Sequence, residues 1–438
     1  MPSHVLPRVP PSTTGAAHAA RYALSQIEVL LVLLLFGFLT GANGFRFSFN
    51  SAIPCALFAT VLLGLRISNS DRPIVLSAFA WAISGTLVLW FLGAAASAVV
   101  HVSNETLLSL YSGYFVPLLI YASLVNRPIT ESQKQSILVA VAVGAMIPWS
   151  WGIVAYLDNF GIPNLVDLFW NRYDVSRMEA YHRVAFGNTS HMALYISISL
   201  PPLLVMAVST TISAGARTVC QLASILALVN MLIIFSRAAF ITLIVLLLFW
   251  IVACRSMRFL IIAGILLSLL ALSLQDFQDI SGLLIDRTIG VVGYDDVMDG
   301  SISERLDSIV AGWKLFVEYP IVGVGPGLTH TLNEWSIAHQ INVQEASAIG
   351  ICGLAATIAI TVLIVLRSTA IALRRLRMET ADLAIWSGVL GWAIYSIIGG
   401  GLQNLGLLIP WAGLLYGFLA LTAFHQDYSV RLPSQLRR

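Results

Sequence analysis

The sequence predicts an all-α, polytopic integral membrane protein with about 12 transmembrane helices, and three observations predict it. Apolar residues make up 58% of the 438 residues and charged residues only 11%, against roughly 25% charged in an average soluble domain. The apolar residues gather in stretches close to the ~20 residues that a bilayer crossing needs. Strand-type alternation is absent, so helices rather than an outer-membrane barrel must satisfy the backbone in lipid. With a mean hydropathy of +0.85, a soluble fold could not hide the apolar surface.

Taken in order, the spans are expected near 25–44, 51–66, 74–99, 106–125, 135–156, 190–209, 217–235, 238–254, 258–274, 346–366, 382–400 and 404–424. The first follows a Pro/Ser/Ala-rich leader with Arg8 and Arg21, is long, and lacks a small-residue cleavage site, so it reads as a retained span. Cys55, Cys220, Cys254 and Cys352 lie in or at the ends of spans without metal-like or redox spacing. They read as small buried apolar residues. Nothing in the chain reads as nucleic-acid binding.

Net charge is only +2, but its distribution is informative. Alternate connecting segments hold Arg8, Arg21, Arg66, Arg72, Arg127, Lys134, Arg217, Arg255, Arg258, Arg367, Arg374, Arg375, Arg377, Arg431, Arg437 and Arg438, which is 16 of the 24 basic residues. The positive-inside rule makes these segments, with both termini, cytoplasmic. The opposite set keeps eight basic residues, most of them in a first extracytoplasmic loop, 157–189, and a larger one, 275–345. No repeat of 20 to 50 residues is evident, so 1–438 reads as a single membrane domain.

The larger loop is expected to contain an amphipathic helix lying along the membrane surface. Ser301 and Glu304 suggest a capping box, and Leu306, Ile309, Val310, Trp313, Phe316 and Val317 recur at helical spacing. Arg305 falls at the edge of that apolar stripe, at headgroup depth. It is either a snorkelling residue on anionic lipid or a substrate contact. Arg237 stands between two spans with almost no polar linker, where an ionisable group is costly and usually functional, the alternative being an interface anchor. Arg183, in YHRVAFGNTSH, has the same two readings.

His339, in SIAHQINVQEASAIGICGL, ends the large loop just before the chain re-enters the bilayer. It reads either as a hydrogen-bonded structural residue or as a base suited to neutral pH. His182, His191 and His330 form no metal-like pair with it. The GVGPG of 323–327 has a phosphate loop's glycines but no following Lys-Ser/Thr, and reads as a tight turn. Asp295, Asp296 and Asp299, in DDVMD, are the one place where Mg²⁺ could be considered, although flanking glycines make them a solvent loop.

The order of motifs RVAFGNTSHMALY, SRAAF, SERLDSIVAGW, YPIVGVGPG and AHQINVQEASAIGICGL resembles the O-antigen ligase and O-antigen polymerase superfamily of membrane glycosyltransferases, most of all the ligases. The likeness covers roughly 183–366 in motif and the whole chain in topology. Three departures stand out: His339-Gln340 where the family usually has His-Asn, Gly187-Asn188-Thr189-Ser190 for Gly-Asn-Pro-Asn, and the region near Ala348, where the family often has an acidic residue.

The resemblance implies a GT-C-like architecture in the bacterial inner membrane, with the site on the periplasmic side and a role in lipopolysaccharide biosynthesis. Its implied donor is an undecaprenyl-diphosphate-linked glycan and its acceptor a sugar hydroxyl of lipid A core. Transfer would be inverting and independent of metal or other cofactor. Arg183, Arg237 and Arg305 would bind the diphosphate, His339 would be catalytic, and membrane lipids would surround the site. A polymerase using a second lipid-linked glycan as acceptor is the alternative. A lipid or ion transporter would more naturally show broken or charged segments at the midplane of matching halves.

Overall fold

The computed structural model describes residues 14–41, 52–68, 77–125, 127, 129–158, 189–234, 237–254, 298–329, 340–373, 378–398 and 410–423. Among these, the secondary structure is helical, joined by turns and bends, without a strand. The helices are α1 (Thr14–Gly41), α2 (Ala52–Ser68), α3 (Ala78–Val100), α4 (Asn104–Ser109), a π-helical segment (Leu110–Phe115), α5 (Val116–Leu124), α6 (Glu131–Asp158) and α7 (Thr189–Val208). They continue with α8 (Ala214–Ile234), α9 (Arg237–Cys254), α10 (Met298–Glu318), α11 (Ile341–Ile349), α12 (Ile351–Ala372), α13 (Thr380–Ile398) and α14 (Pro410–Ala423).

Six of these segments are long and apolar enough to cross a bilayer, and five shorter apolar helices accompany them. Together they match eleven of the expected spans. The remaining one, 258–274, lies outside the described residues, as do most of 157–189 and the early part of 275–345.

The centre of the bundle is α7, α13 and α14, whose side chains are buried almost throughout. Helix α7 runs unbroken through Pro201 and Pro202. Each proline lacks the N–H that would reach the carbonyl four residues back, which frees the Ser197 and Ile198 oxygens in an apolar surround. The glycines of α13 cover both. A Cβ on Gly391 would overlap the Ser197 oxygen, and one on Gly388 would stand 2.6 Å from the Ile198 oxygen. Small residues thus let two backbones approach closely.

One end of the bundle is tied by charge. Arg127 pairs with Glu28 at 2.7 Å and donates to the Leu62 carbonyl at 2.9 Å. Lys134 pairs with Asp382, Arg66 donates to the Ala122 carbonyl, and Arg367 donates to the Thr422 carbonyl while lying over the rings of Phe79 and Trp386. The arginines and lysine of these ties are all residues that the charge bias assigned to one side. They therefore join the N-terminal parts of α1, α3, α6 and α13 to the C-terminal ends of α2, α5, α12 and α14, which is the up-and-down order expected of successive spans. The carboxylates Glu131, Glu379 and Asp382, close enough together to share a cation, also lie at this basic end. There Lys134 occupies Asp382 and the Ala381 N–H donates to Glu131.

Two sequence expectations need correction. Ser301 is not the N-cap of a capping box, because the chain is already helical from Met298 and an N-cap stands outside the helix. Asp299 and Gly300 are taken into the first turn, where the N–H groups need no intrahelical partner and such residues are tolerated. The expected span 346–366 is not continuous either: Gly350, at φ 69°, separates α11 from α12.

On the arginine bias the basic end is expected to be cytoplasmic. Exposed Ser132 lies at that end and exposed Asp307 on α10. In a background lacking the four native cysteines, Asp307→Cys is expected to react with an impermeant thiol reagent in intact spheroplasts. Ser132→Cys should react only after permeabilisation, and the reverse pattern would invert the orientation.

Candidate functional site

At the far end of the bundle the backbone does what charge does at the basic end. The break at Gly350 leaves carbonyls at the end of α11 and N–H groups at the start of α12 without intrahelical partners. The glycine-rich turn at 319–328 supplies them. Val324 N–H donates to the Ser347 carbonyl at 2.9 Å, Gly325 N–H to the Ala348 carbonyl at 3.0 Å, and Ile351 N–H to the Pro320 carbonyl at 2.8 Å.

Gly323, Gly325 and Gly327 all have positive φ, which only glycine adopts freely. A Cβ on Gly323 would collide with the backbone between Ala348 and Ile349, and one on Gly350 with the Ile321 carbonyl. The GVGPG segment is thus a turn that docks onto a helix break. His101, just past α3, closes it from the other side with a ring N–H to the Gly323 carbonyl at 3.0 Å.

Helix α11 folds back on α12: a Cβ on Gly353 would overlap the Glu345 carbonyl eight residues earlier, far closer than the ~12 Å that eight residues of continuous helix would span. Its contacts with α3 give its direction. Glu345 meets Trp90 in the middle of α3, and the Ala348 carbonyl accepts from Ser97 nearer the far end. Helix α11 therefore runs toward the far end with Gln340 at its deeper, inner end. It is re-entrant, a form tolerated at membrane depth only where protein covers it, and Ile341–Ile349 are buried throughout apart from half-buried Asn342.

Gln340 caps the helix, its side-chain oxygen accepting from Val343 N–H at 2.8 Å. The departure from the family's His-Asn thus keeps a capping amide.

The carboxyl of Glu345 is fully buried. Its Oε2 accepts from Trp90 Nε1–H at 2.7 Å and from Tyr114 O–H at 3.0 Å. Trp90 and Tyr114 meet edge to face, 6.4 Å between centroids, and Tyr416 of α14 lies 6.5 Å from Trp90. Tyr114 belongs to the π-helical segment, a distortion that re-aims side chains and is frequent at functional sites.

Sequence reasoning did not single out Glu345. The available signal was a lone acid in an apolar run, since ionisable residues at membrane depth are functional by default.

Of the residues expected to act, Arg237 is the first residue of α9 and Arg305 lies in α10, but their side chains are outside the described residues, as are Arg183 and His339 entirely. Among the described residues, the helix that contains Arg305 touches the one that follows His339, and the helix that begins with Arg237 has that end on the same side, while the surroundings of Arg183 are not described. Helix α10 packs on α11, and His339 immediately precedes its cap. Trp250, near the end of α9, donates to Ser387 near the start of α13, so the other end of α9, with Arg237, points to the far end.

Apolar membrane-length helices around a re-entrant helix with a buried carboxyl define an integral membrane protein with its candidate site at one end. Residues 222–358 match a family model described as O-antigen ligase. No curated protein matches the chain. The matched segment runs from α8 through α9, α10 and α11 into α12 and includes Arg237, Arg305, His339 and Glu345, while Arg183 precedes it. The match supports a function of the O-antigen ligase or polymerase type.

Gly350→Ala is expected to destabilise the protein, because φ 69° with ψ −148° is a conformation essentially confined to glycine, costing another residue about 1–3 kcal/mol, and the new methyl meets the Ile321 carbonyl. Gly64→Ala and Gly85→Ala, where a Cβ meets nothing within 4 Å, are the controls. Equal thermal midpoints in detergent for all three would remove the strained break.

Proposed function

We propose that this protein is an O-antigen ligase. It transfers a glycan from undecaprenyl diphosphate to a sugar hydroxyl of lipid A core at the periplasmic face of the inner membrane, with inversion at the anomeric carbon and without a metal. The observation that carries the reading is the family match over 222–358, which takes in two of the three arginines and the histidine singled out by sequence.

The chemistry suits those residue types. A diphosphate leaving group develops negative charge as its bond to the anomeric carbon breaks. Guanidinium forks, always charged and able to bind two oxygens at once, stabilise it in a water-poor site. Arg183, Arg237 and Arg305 take that role. His339 orients or deprotonates the acceptor hydroxyl for attack. The re-entrant course of α11 supports the assignment, since Gln340, the residue that follows His339 in the sequence, stands at the deeper, inner end of that helix.

Three outcomes are expected for glycan transfer in proteoliposomes containing labelled donor lipid and lipid A core. His339→Ala should slow transfer by about a hundredfold or more, the contribution of a general base, while donor lipid still binds. Arg237→Lys and Arg305→Lys should weaken both binding and transfer, because lysine keeps the charge and loses the fork. Chelator, Asp295→Ala and Asp296→Ala should leave transfer largely intact. Normal transfer by His339→Ala would remove the histidine from the mechanism, and a chelator block reversed by Mg²⁺ would bring the acidic loop into it.

A further inference from the structure

Two carboxylates among the described residues are buried almost completely, Glu345 at 0% exposure and Asp382 at 1%. Asp382 has Lys134 beside it. Glu345 has two neutral donors on one oxygen, and its other oxygen, Oε1, has no hydrogen-bond partner. A carboxylate placed there for stability alone would be expected to have a cation or a full set of donors.

What the group does have is reach. Its two donors sit on α3 and on the π-helical segment, 255 and 231 residues away in the chain. It is the side chain through which the re-entrant helix is held to the two spans beside it.

We propose that Glu345 is a positioning residue of the transfer site. Through Oε2 it fixes the depth and rotation of α11, and hence of its inner end at Gln340, the residue that follows His339 in the sequence, against Trp90 and Tyr114. The inference rests on the transferase reading above and extends it to a residue that touches neither donor nor acceptor. Because both donors are neutral and no described cation faces the carboxyl, an amide oxygen can replace it. The role is hydrogen-bond acceptance, not charge.

The test uses the full chain in proteoliposomes with labelled undecaprenyl-diphosphate glycan and lipid A core, beside His339→Ala as reference. Glu345→Ala should lower kcat by about a hundredfold, the effect of a misplaced catalytic group, with KM for donor lipid little changed. Glu345→Gln should restore most of it, and Trp90→Phe and Tyr114→Phe should fall between. Hydrogen exchange supplies a readout that needs no activity: Glu345→Ala should raise exchange over 341–349 while 353–366 stays protected.

Unchanged exchange in Glu345→Ala would overturn the proposal whatever the transfer assay gives. So would raised exchange with normal kcat, a kcat that falls only in step with the thermal midpoint, or a glutamine variant as damaged as the alanine one. Normal transfer by His339→Ala would instead sink the histidine's catalytic role, leaving exchange to decide whether Glu345 holds the helix.

Discussion

In lipid, a backbone N–H or C=O that loses its helical partner has no water to turn to, and the irregular features of this bundle follow from that constraint. Three departures from regular helix show how it is met: the proline pair in α7, the π-helical segment after α4 and the break at Gly350. Glycines of α13 cover the carbonyls that the prolines release. At Gly350, the turn of 319–328 supplies donors and an acceptor to the two helix ends. The π-helical segment presents Tyr114 to a carboxyl that would otherwise be held by tryptophan alone. Each irregularity thus exists together with the neighbour that completes it.

The two ends of the molecule solve the constraint differently. At the basic end, guanidinium groups reach across to carbonyls at the C-terminal ends of other helices, as Arg66 does to Ala122 and Arg367 to Thr422. These carbonyls are the orphans of helix termini, and cations there also suit the helix dipole. Residues that obey the positive-inside bias therefore double as ties between helices. The far end is closed by backbone hydrogen bonds and a histidine ring. Among the described residues, no arginine side chain takes part in these bonds between the 319–328 turn, α11 and α12.

The spans were legible because a bilayer imposes a length and a composition that a single sequence displays directly. The N-terminal edges of α1 and α10 were less so: the chain is helical from Thr14 and from Met298, where hydropathy gives no signal and Ser301 offered a plausible cap that the fold does not use. Gly350 was harder still. A glycine in an apolar run is ordinary in membrane helices, and only its positive φ distinguishes it. That conformation depends on Ile321 and Pro320, some thirty residues back in the chain. Glu345 passed unnoticed because its meaning lies in Trp90 and Tyr114, which no local pattern connects to it.

The break at Gly350 changes what the histidine motif means. As one continuous helix, 341–372 would extend about 48 Å at 1.5 Å per residue, well beyond a hydrocarbon core of about 30 Å, and would carry its first residues out past the headgroups. Folding back at Gly350 returns those nine residues to the interior beside α3 and α12. There the N-terminal end of α11 is shielded from water by protein, the setting in which hydrogen bonds and charges act most strongly on a developing anion. A glycine turn, a re-entrant helix and a buried carboxyl then act as one device, holding the inner end of α11 at a fixed depth beside α3.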